Sequence, residues 1–368
     1  MRVEAIELRE VALPLLFGFK TSFELRHQHV CLLVRVIADG LEGWGEVPAE
    51  DSPLYNEETV GTAWHILEDF IIPMVLGREV PHPRAFAAQV APIRRNHMAK
   101  AGLEAALWDL AGRREGMSLS ALLGGTQARI AAGISLGIEP EIDLLLDRIA
   151  HFLAAGYRRI KVKIEPGWDV ATVARIRQRF GGILLQVDAN SAYAPEDAPI
   201  FRALDEFSLL LIEQPLAEDD LLDHAALQAQ LRTPICLDES ITSPAQAEKA
   251  LRIDACRVIN IKAARVGGIT AALAIHDLCR ARSIPVWCGG LLETGIGRAA
   301  NLALASLPNF VLPADLSASD RYFAEDVIDP PVRLEADGTV PVPQGPGLGV
   351  EIRLDRIENA TRRVAQFR

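Results

Sequence analysis

Five charged residues recur along this 368-residue chain at nearly constant intervals. Lys163, Asp188, Glu213, Asp238 and Lys262 are separated by 25, 25, 25 and 24 positions. Four of them close short apolar runs: Leu184-Leu-Gln-Val-Asp188, Leu209-Leu-Leu-Ile-Glu213, Ile235-Cys-Leu-Asp238 and Val258-Ile-Asn-Ile-Lys262. The fifth ends Ile160-Lys-Val-Lys163, which carries a second lysine, Lys161. Side chains two apart on a strand share a face, so Lys161 and Lys163 point the same way. Two ammonium groups on a buried strand need anions beside them, because an unpaired buried charge is very costly. The three carboxylates in the same register can supply them.

Three converging carboxylates would in turn raise one another's pKa. A divalent cation removes that conflict, and an all-oxygen, hard ligand set favours Mg²⁺, with Mn²⁺ as the other choice. The eight histidines form no H-x-H or H-E-x-x-H pattern that would point to zinc instead. An Asp-Glu-Asp set leaves coordination positions for a substrate carboxylate. With lysines at both ends of the arc, a bound substrate would meet an amine on each face. That geometry suits removal and delivery of a proton α to a carboxylate, with the metal stabilising the enediolate charge. A lysine base needs a lowered pKa, and both a metal and Lys161 would act in that direction.

The elements that position these residues follow from the interval. About 25 residues is one strand plus one helix, so the five residues occupy equivalent places on five successive strands. Strand-like runs at Ala131–Leu136, Ile160–Ile164, Leu184–Val187, Leu209–Ile212, Ile235–Leu237, Val258–Ile261, Pro285–Trp287 and Phe310–Leu312 are mostly separated by helical segments. Strand–helix alternation means a parallel sheet, and eight strands in under 200 residues mean a (β/α)₈-type barrel. Barrel chemistry takes place at the carboxyl ends of the strands, which is where these charges fall.

Residues 1–128 read as a separate α+β unit, with strands at Val3–Leu8 and His29–Ala38 and an Asp39-Gly40 turn. Helices are expected at Thr59–Phe70 and Met98–Arg114, the latter ended by Gly116. Loops are expected at Phe17–Thr21 and Pro48–Tyr55. The barrel takes 129–318. The tail, 319–368, holds a hairpin of Val332–Leu334 with Val340–Val342 and a strand at Val350–Leu354, and returns to the first unit.

Composition bounds the partners. A net charge of −11 and 6% aromatic residues argue against nucleic acid and anionic membranes. The expected partner is a small-molecule carboxylate drawn by local positive groups. Five scattered cysteines without a C-x-x-C read as thiols in a reducing compartment. With no apolar run of about 18 residues and no signal-like start, the expectation is a soluble, cytoplasmic protein that forms a homo-oligomer.

Lys161-Val-Lys163, Asp188-Ala-Asn190, Glu213-Gln-Pro215, Asp238-Glu-Ser240 and Lys262, with Ala106-Leu-Trp-Asp-Leu-Ala111, resemble the muconate-lactonising-enzyme subgroup of the enolase superfamily. A lysine base working with Mg²⁺ at an enediolate is already the described pattern of such sites, so that part is a match and not a derivation. The resemblance covers essentially the whole chain. It implies a modified TIM barrel, (β/α)₇β, capped by an α+β domain built from both chain ends. It implies Lys163 and Lys262 as acid and base on opposite faces and Lys161 as the charge that orients the substrate carboxylate. Asp188, Glu213 and Asp238 become the metal ligands.

Within the superfamily, Gly289-Gly-Leu-Leu-Glu-Thr-Gly-Ile-Gly-Arg298 and Arg265 resemble o-succinylbenzoate synthases that also racemise N-succinylamino acids. The alternatives are a dipeptide epimerase or a muconate-type cycloisomerase. Dipeptide epimerases usually carry Asp-x-Asp near the eighth strand, whereas Ala314-Asp-Leu-Ser-Ala318 has a single acid.

Further candidates surround this set. Ser135 ends the first barrel strand, where it could contact substrate or cap a turn. Asn190 belongs to the Asp188-Ala-Asn190 motif, and Glu239 could orient Lys262. Arg265 could tune Lys262 or form a plain salt bridge. Gly289 and Gly290, with Leu291 beside them, could hold an oxyanion or succinyl group on backbone N–H groups or simply make a tight turn. Phe19 and Tyr55 lie in the loops expected over the barrel mouth, where packing is the competing role.

Overall fold

The computed structural model describes residues 1–20 and 25–368. Strands β1 (Val3–Lys20), β2 (Leu25–Ala38) and β3 (Leu41–Val47) form an antiparallel sheet, and helix α1 (His97–Glu115) packs across it. Glycines in β3 permit a very close approach. A Cβ on Gly45 would lie 2.1 Å from the Gly102 carbonyl oxygen of α1. Asp109 of α1 accepts from Trp44 N at 2.9 Å and Leu348 N at 2.7 Å, tying helix, sheet and tail together. Gly116 ends α1 in the left-handed region at φ 65°, where glycine carries no Cβ penalty.

The expected loop at Phe17–Thr21 is a strand as far as Lys20. Thr21 lies outside the described residues. Phe19 pairs with Arg26 and Lys20 with Leu25, after a register shift between Pro14 and Phe19. The glycine that suggested a loop, Gly18, sits inside this shifted arm. The Thr59–Phe70 helix begins as expected, capped by Thr59, then widens into a π-helical turn from Leu67 to Ile71.

The barrel sheet has seven parallel strands in chain order: β4 (Gly133–Leu136), β5 (Arg159–Lys163), β6 (Leu184–Asp188), β7 (Ile212–Glu213), β8 (Ile235–Leu237), β9 (Val258–Ile261) and β10 (Val286–Cys288). Helix α2 (Ile142–Ala154) follows β4 and buries Leu145, Leu146 and Ile149 against the barrel. An irregular eighth segment bridges the two edges. Phe310 bridges to Val286 and Ala314 to Ala132, with Gly133 N donating to Ala314 O at 2.7 Å. Apolar side chains of the strands and the helices around them form one continuous core. The fold is the mixed α/β architecture of a capped TIM barrel.

The tail differs from expectation in its pairing. Val332–Leu334 is not a strand. Thr339–Pro341 instead pairs with Arg129–Ala131, the stretch just before β4. The Asp337-Gly338 turn is present, but its partner is distant in sequence. Glu351–Ile352 forms a short strand, and a final strand, β11 (Thr361–Phe367), pairs antiparallel with β1.

Candidate active site

Parallel register puts Ser135 beside Lys161, and Lys163 beside Asp188, which in turn pairs with Glu213. Asp238 and Lys262 follow the last residues of β8 and β9. All five charges, with Lys161, are buried. Lys163 Nζ donates to Asp188 Oδ2 at 2.6 Å and to Asn190 Oδ1 at 2.5 Å. Lys262 Nζ donates to Asp238 Oδ2 at 2.8 Å and to Tyr55 Oη at 3.0 Å. Lys161 Nζ lies 3.2 Å from Asp188 Oδ2 and 3.1 Å from Glu213 Oε2.

Each carboxylate is held from behind. Asn260 Nδ2 donates to Glu213 Oε1 at 2.8 Å. Gln214, at φ 38°, accepts on Oε1 from the backbone N–H groups of Asp238 and Ser240, shaping the turn after β8. Arg265 is buried behind Asp238 and donates to it, to Ile241 O at 2.9 Å and to Asn260 O at 2.6 Å. Arg265 thus forms an ion pair with the carboxylate that Lys262 also contacts. Glu239 Oε1 accepts from Asn190 Nδ2 at 2.8 Å, while Oε2 is buried without a partner among the described residues.

The small cavity over these residues is lined by Phe19, Tyr55, Ser135, Lys161, Lys163, Asn190, Lys262, Gly290 and Leu291, among others. Among the described residues Ser135 Oγ is buried without a hydrogen-bond partner there. Gly289 is not on the wall. It allows Lys262 to pass, because a Cβ there would lie 2.7 Å from Lys262 Cε and 2.3 Å from Asn260 Oδ1. Arg26 and Glu50, which sequence reasoning passed over, form an ion pair at the cavity edge. A far larger cavity, about 1260 Å³, lies elsewhere.

Sequence reasoning also missed the weight of Asp315. Its Oδ2 is 2.6 Å from Lys161 Nζ, and its Oδ1 is 2.6 Å from Arg159 Nη2. The second contact is an ion pair without hydrogen-bond alignment. Trp287 stacks under both cations, 5.0 Å from Lys161 Nζ and 5.2 Å from Arg159 Cζ.

The charges set each other's titration. Burial acts to raise Asp188 and Asp315, but Lys163 and Lys161 at the first, and Arg159 and Lys161 at the second, hold both well below the carboxylate range. Burial, with Asp188 nearby, pushes Glu213 up. The lysines are held by these same acids. Burial pulls Lys161 and Lys262 down, but Asp315 and Glu213 at Lys161, and Tyr55 and Glu239 at Lys262, carry both upward. The reason is that the lysines themselves neutralise the carboxylates.

The donor set fits a hard divalent cation. Asp188, Glu213 and Asp238 offer oxygen only, and every charged group drawn to them is a cation, with Lys161 Nζ bridging the first two. Among the described residues, the one trio with ligand-type atoms all within 4.8 Å of each other is His29–Cys31–Glu46. That group is a clamp between the two units. The Glu46 carboxylate already accepts from His29, from Thr294 N and Oγ1 and from Gly297 N, capping helix α3 (Gly295–Ala305).

A capped barrel with lysines flanking an acidic arc defines a class of enzymes. Residues 4–124 match the mandelate racemase / muconate lactonizing enzyme N-terminal domain, and residues 145–356 match the enolase C-terminal domain-like model. The chain belongs to the mandelate racemase / muconate lactonizing enzyme family of the enolase superfamily, whose members are divalent-metal dependent. It is 49% identical to an o-succinylbenzoate synthase of Geobacillus kaustophilus, over 98% of this chain and 96% of the relative. It is 47% identical to an N-succinylamino acid racemase of Thermus thermophilus, over 98% of each. An enolase-superfamily member from Listeria innocua superposes with a TM-score of 0.96 at 39% identity, covering 100% of this chain and 99% of the other.

Proposed function

We propose that this chain removes the proton α to a substrate carboxylate, acting as an o-succinylbenzoate synthase, an N-succinylamino acid racemase, or both. The observation that carries the reading is the pair of amines on separate anchors: Lys163 on Asp188 and Asn190, Lys262 on Asp238 and Tyr55. In racemisation one amine takes the α-proton and the other returns a proton from the opposite face. In dehydration one lysine takes the α-proton, the enediolate then expels the β-hydroxyl as its C–O bond breaks, and that hydroxyl takes up a proton and leaves as water, while the other lysine remains an ammonium that balances the negative charge of the enediolate. Lys161, fixed by Asp315, orients the substrate carboxylate. Asp188, Glu213 and Asp238 would hold Mg²⁺, or Mn²⁺ in its place, which stabilises the charge developing on that carboxylate. Ser135, whose hydroxyl has no partner among the described residues, and the Gly290–Leu291 backbone would meet the rest of the substrate, with Phe19 and Tyr55 closing over it. Against a dipeptide substrate, the one acid of Ala314–Ala318 is already held by two cations.

All five cysteines are buried and unpaired, which supports a reducing, cytoplasmic setting. Among the described residues no helix is long and apolar enough to cross a membrane. Self-association into a homo-oligomer is part of the same reading.

The test is α-proton exchange into D₂O on N-succinylamino acids. Exchange should need Mg²⁺ or Mn²⁺, stop on chelation and return on adding the ion. Turnover of dipeptides or muconate without turnover of succinylated substrates would overturn the reading.

A further inference from the structure

The large cavity shares no lining residue with the active site. It lies between α2 and the chain that follows the eighth barrel segment. Arg321 lines it, only 8% exposed. Among the described residues its guanidinium has no carboxylate within ion-pair distance, and Nε is buried with no hydrogen-bond partner. Three rings surround the charge, with centroids 5.0 Å (Phe152), 5.5 Å (Tyr322) and 5.7 Å (Phe17) from Cζ. Ring faces attract a cation, but they do not accept its in-plane N–H donors as a carboxylate does. Leaving the Nε–H of such a group buried without an acceptor is costly.

The other charges of the cavity do not serve Arg321. Arg148 is taken by Glu139 at 3.0 Å, and Asp147 by Arg179 at 2.9 Å. Asp326 accepts from the N–H groups of Gly295 and Val327 and from the Ser319 hydroxyl. Asp320 and Glu325 line the cavity without pairing with the guanidinium. Asp329 is taken by Arg353 at 3.6 Å, Arg356 donates to the Asp326 and Ile328 carbonyls, and Arg333 is exposed, so Arg321 is the buried cation of this lining, one guanidinium that suits one carboxylate. Leu16, Phe17 and Leu144 expose large apolar surfaces at the same cavity, at 46%, 53% and 48%.

We propose that this cavity is a second, non-catalytic binding site for a small amphipathic monocarboxylate. The carboxylate is held by Arg321, and the apolar body lies against Phe152 and the Leu16–Phe17–Leu144 rim.

The test is calorimetry on the full chain with 4-phenylbutyrate as probe and 4-phenylbutanamide as its neutral counterpart. The wild type and Lys163→Ala should bind the acid equally. Arg321→Met, and the amide on the wild type, should each bind about tenfold or more weakly, the cost of one charge-assisted contact. Leu144→Glu changes an exposed rim residue and should also weaken the acid, which keeps the test open if Arg321→Met fails to fold. Absence of binding to the wild type overturns the proposal. So does binding that Lys163→Ala abolishes and both cavity variants leave unchanged, since the probe then sits in the active site. If no probe binds and Arg321→Met lowers the mass of a native oligomer, a second copy fills the cavity and the proposal also fails.

Discussion

Lys161 and Asp315 lie 2.6 Å apart inside the barrel, the lysine from β5 and the acid from the irregular segment that closes it. Asp315 also balances the fully buried Arg159. Asp315→Asn should therefore leave two buried cations short of an anion. A loss of roughly 3 kcal/mol of stability is expected, typical of breaking one side of a buried pair. Proton exchange should fall at least about tenfold, since an ammonium that shifts no longer orients the substrate carboxylate. Urea denaturation and exchange rates on the same preparation check both; an unchanged exchange rate would remove Asp315 from the positioning of Lys161.

The two amines should be separable by stereochemistry. Lys163→Ala and Lys262→Ala should each lower racemisation by about 10²–10⁴-fold, the usual worth of a positioned acid or base. Each variant should still exchange the α-proton of one enantiomer, and the two should prefer opposite enantiomers. NMR in D₂O on separate D and L substrates reads this directly. Equal loss for both enantiomers in both variants would contradict bases on opposite faces.

Gly289→Ala tests how Lys262 is seated. The new Cβ would lie 2.7 Å from Lys262 Cε and 2.3 Å from Asn260 Oδ1, closer than real contacts allow. Both side chains must move, and a shift of about 1 Å near the chemistry can cost on the order of 10²-fold. The deficit should fall mainly on the enantiomer that Lys262 serves. An even loss across both would mean that the damage is general.

Glu104 on α1 provides a pH-dependent term in stability. Burial pushes its carboxyl from an ordinary 4.5 up to about 7, against hydrogen bonds from Thr270 and Trp108. Below pH 4.5 the folded and unfolded states are both protonated there. As the pH rises from 4.5 to about 7, the unfolded state gives up the proton first, so stability falls and then levels off. Glu104→Gln should remove that slope. Its stability relative to the wild type should improve by up to about 3 kcal/mol between pH 5 and pH 8, measured by denaturant titration. A constant difference would show that Glu104 does not titrate in this window.

The chain alone determined the charge register and much of the fold. Lys163, Asp188, Glu213, Asp238 and Lys262 could be placed because each ends an apolar run, and one strand-plus-helix unit repeats with a period that can be counted. Gly116 ends its helix as read, since a helix stop is local chemistry. What escaped was non-local. Asp315 follows a segment that makes only isolated bridges, and its two cations come from β5, more than 150 residues earlier and one strand in from the sheet edge. Asn260 hides inside an apolar run, with nothing in the order of residues to say that it props Glu213. The Phe19–Arg26 arm and the pairing of Thr339–Pro341 with Arg129–Ala131 depend on partners chosen only when the sheets close. The ion pairs around Lys161 and Lys262 belonged to the structure as well. Charge types can be read in order along the chain, but the balance between burial and attraction exists only once the side chains share one small volume.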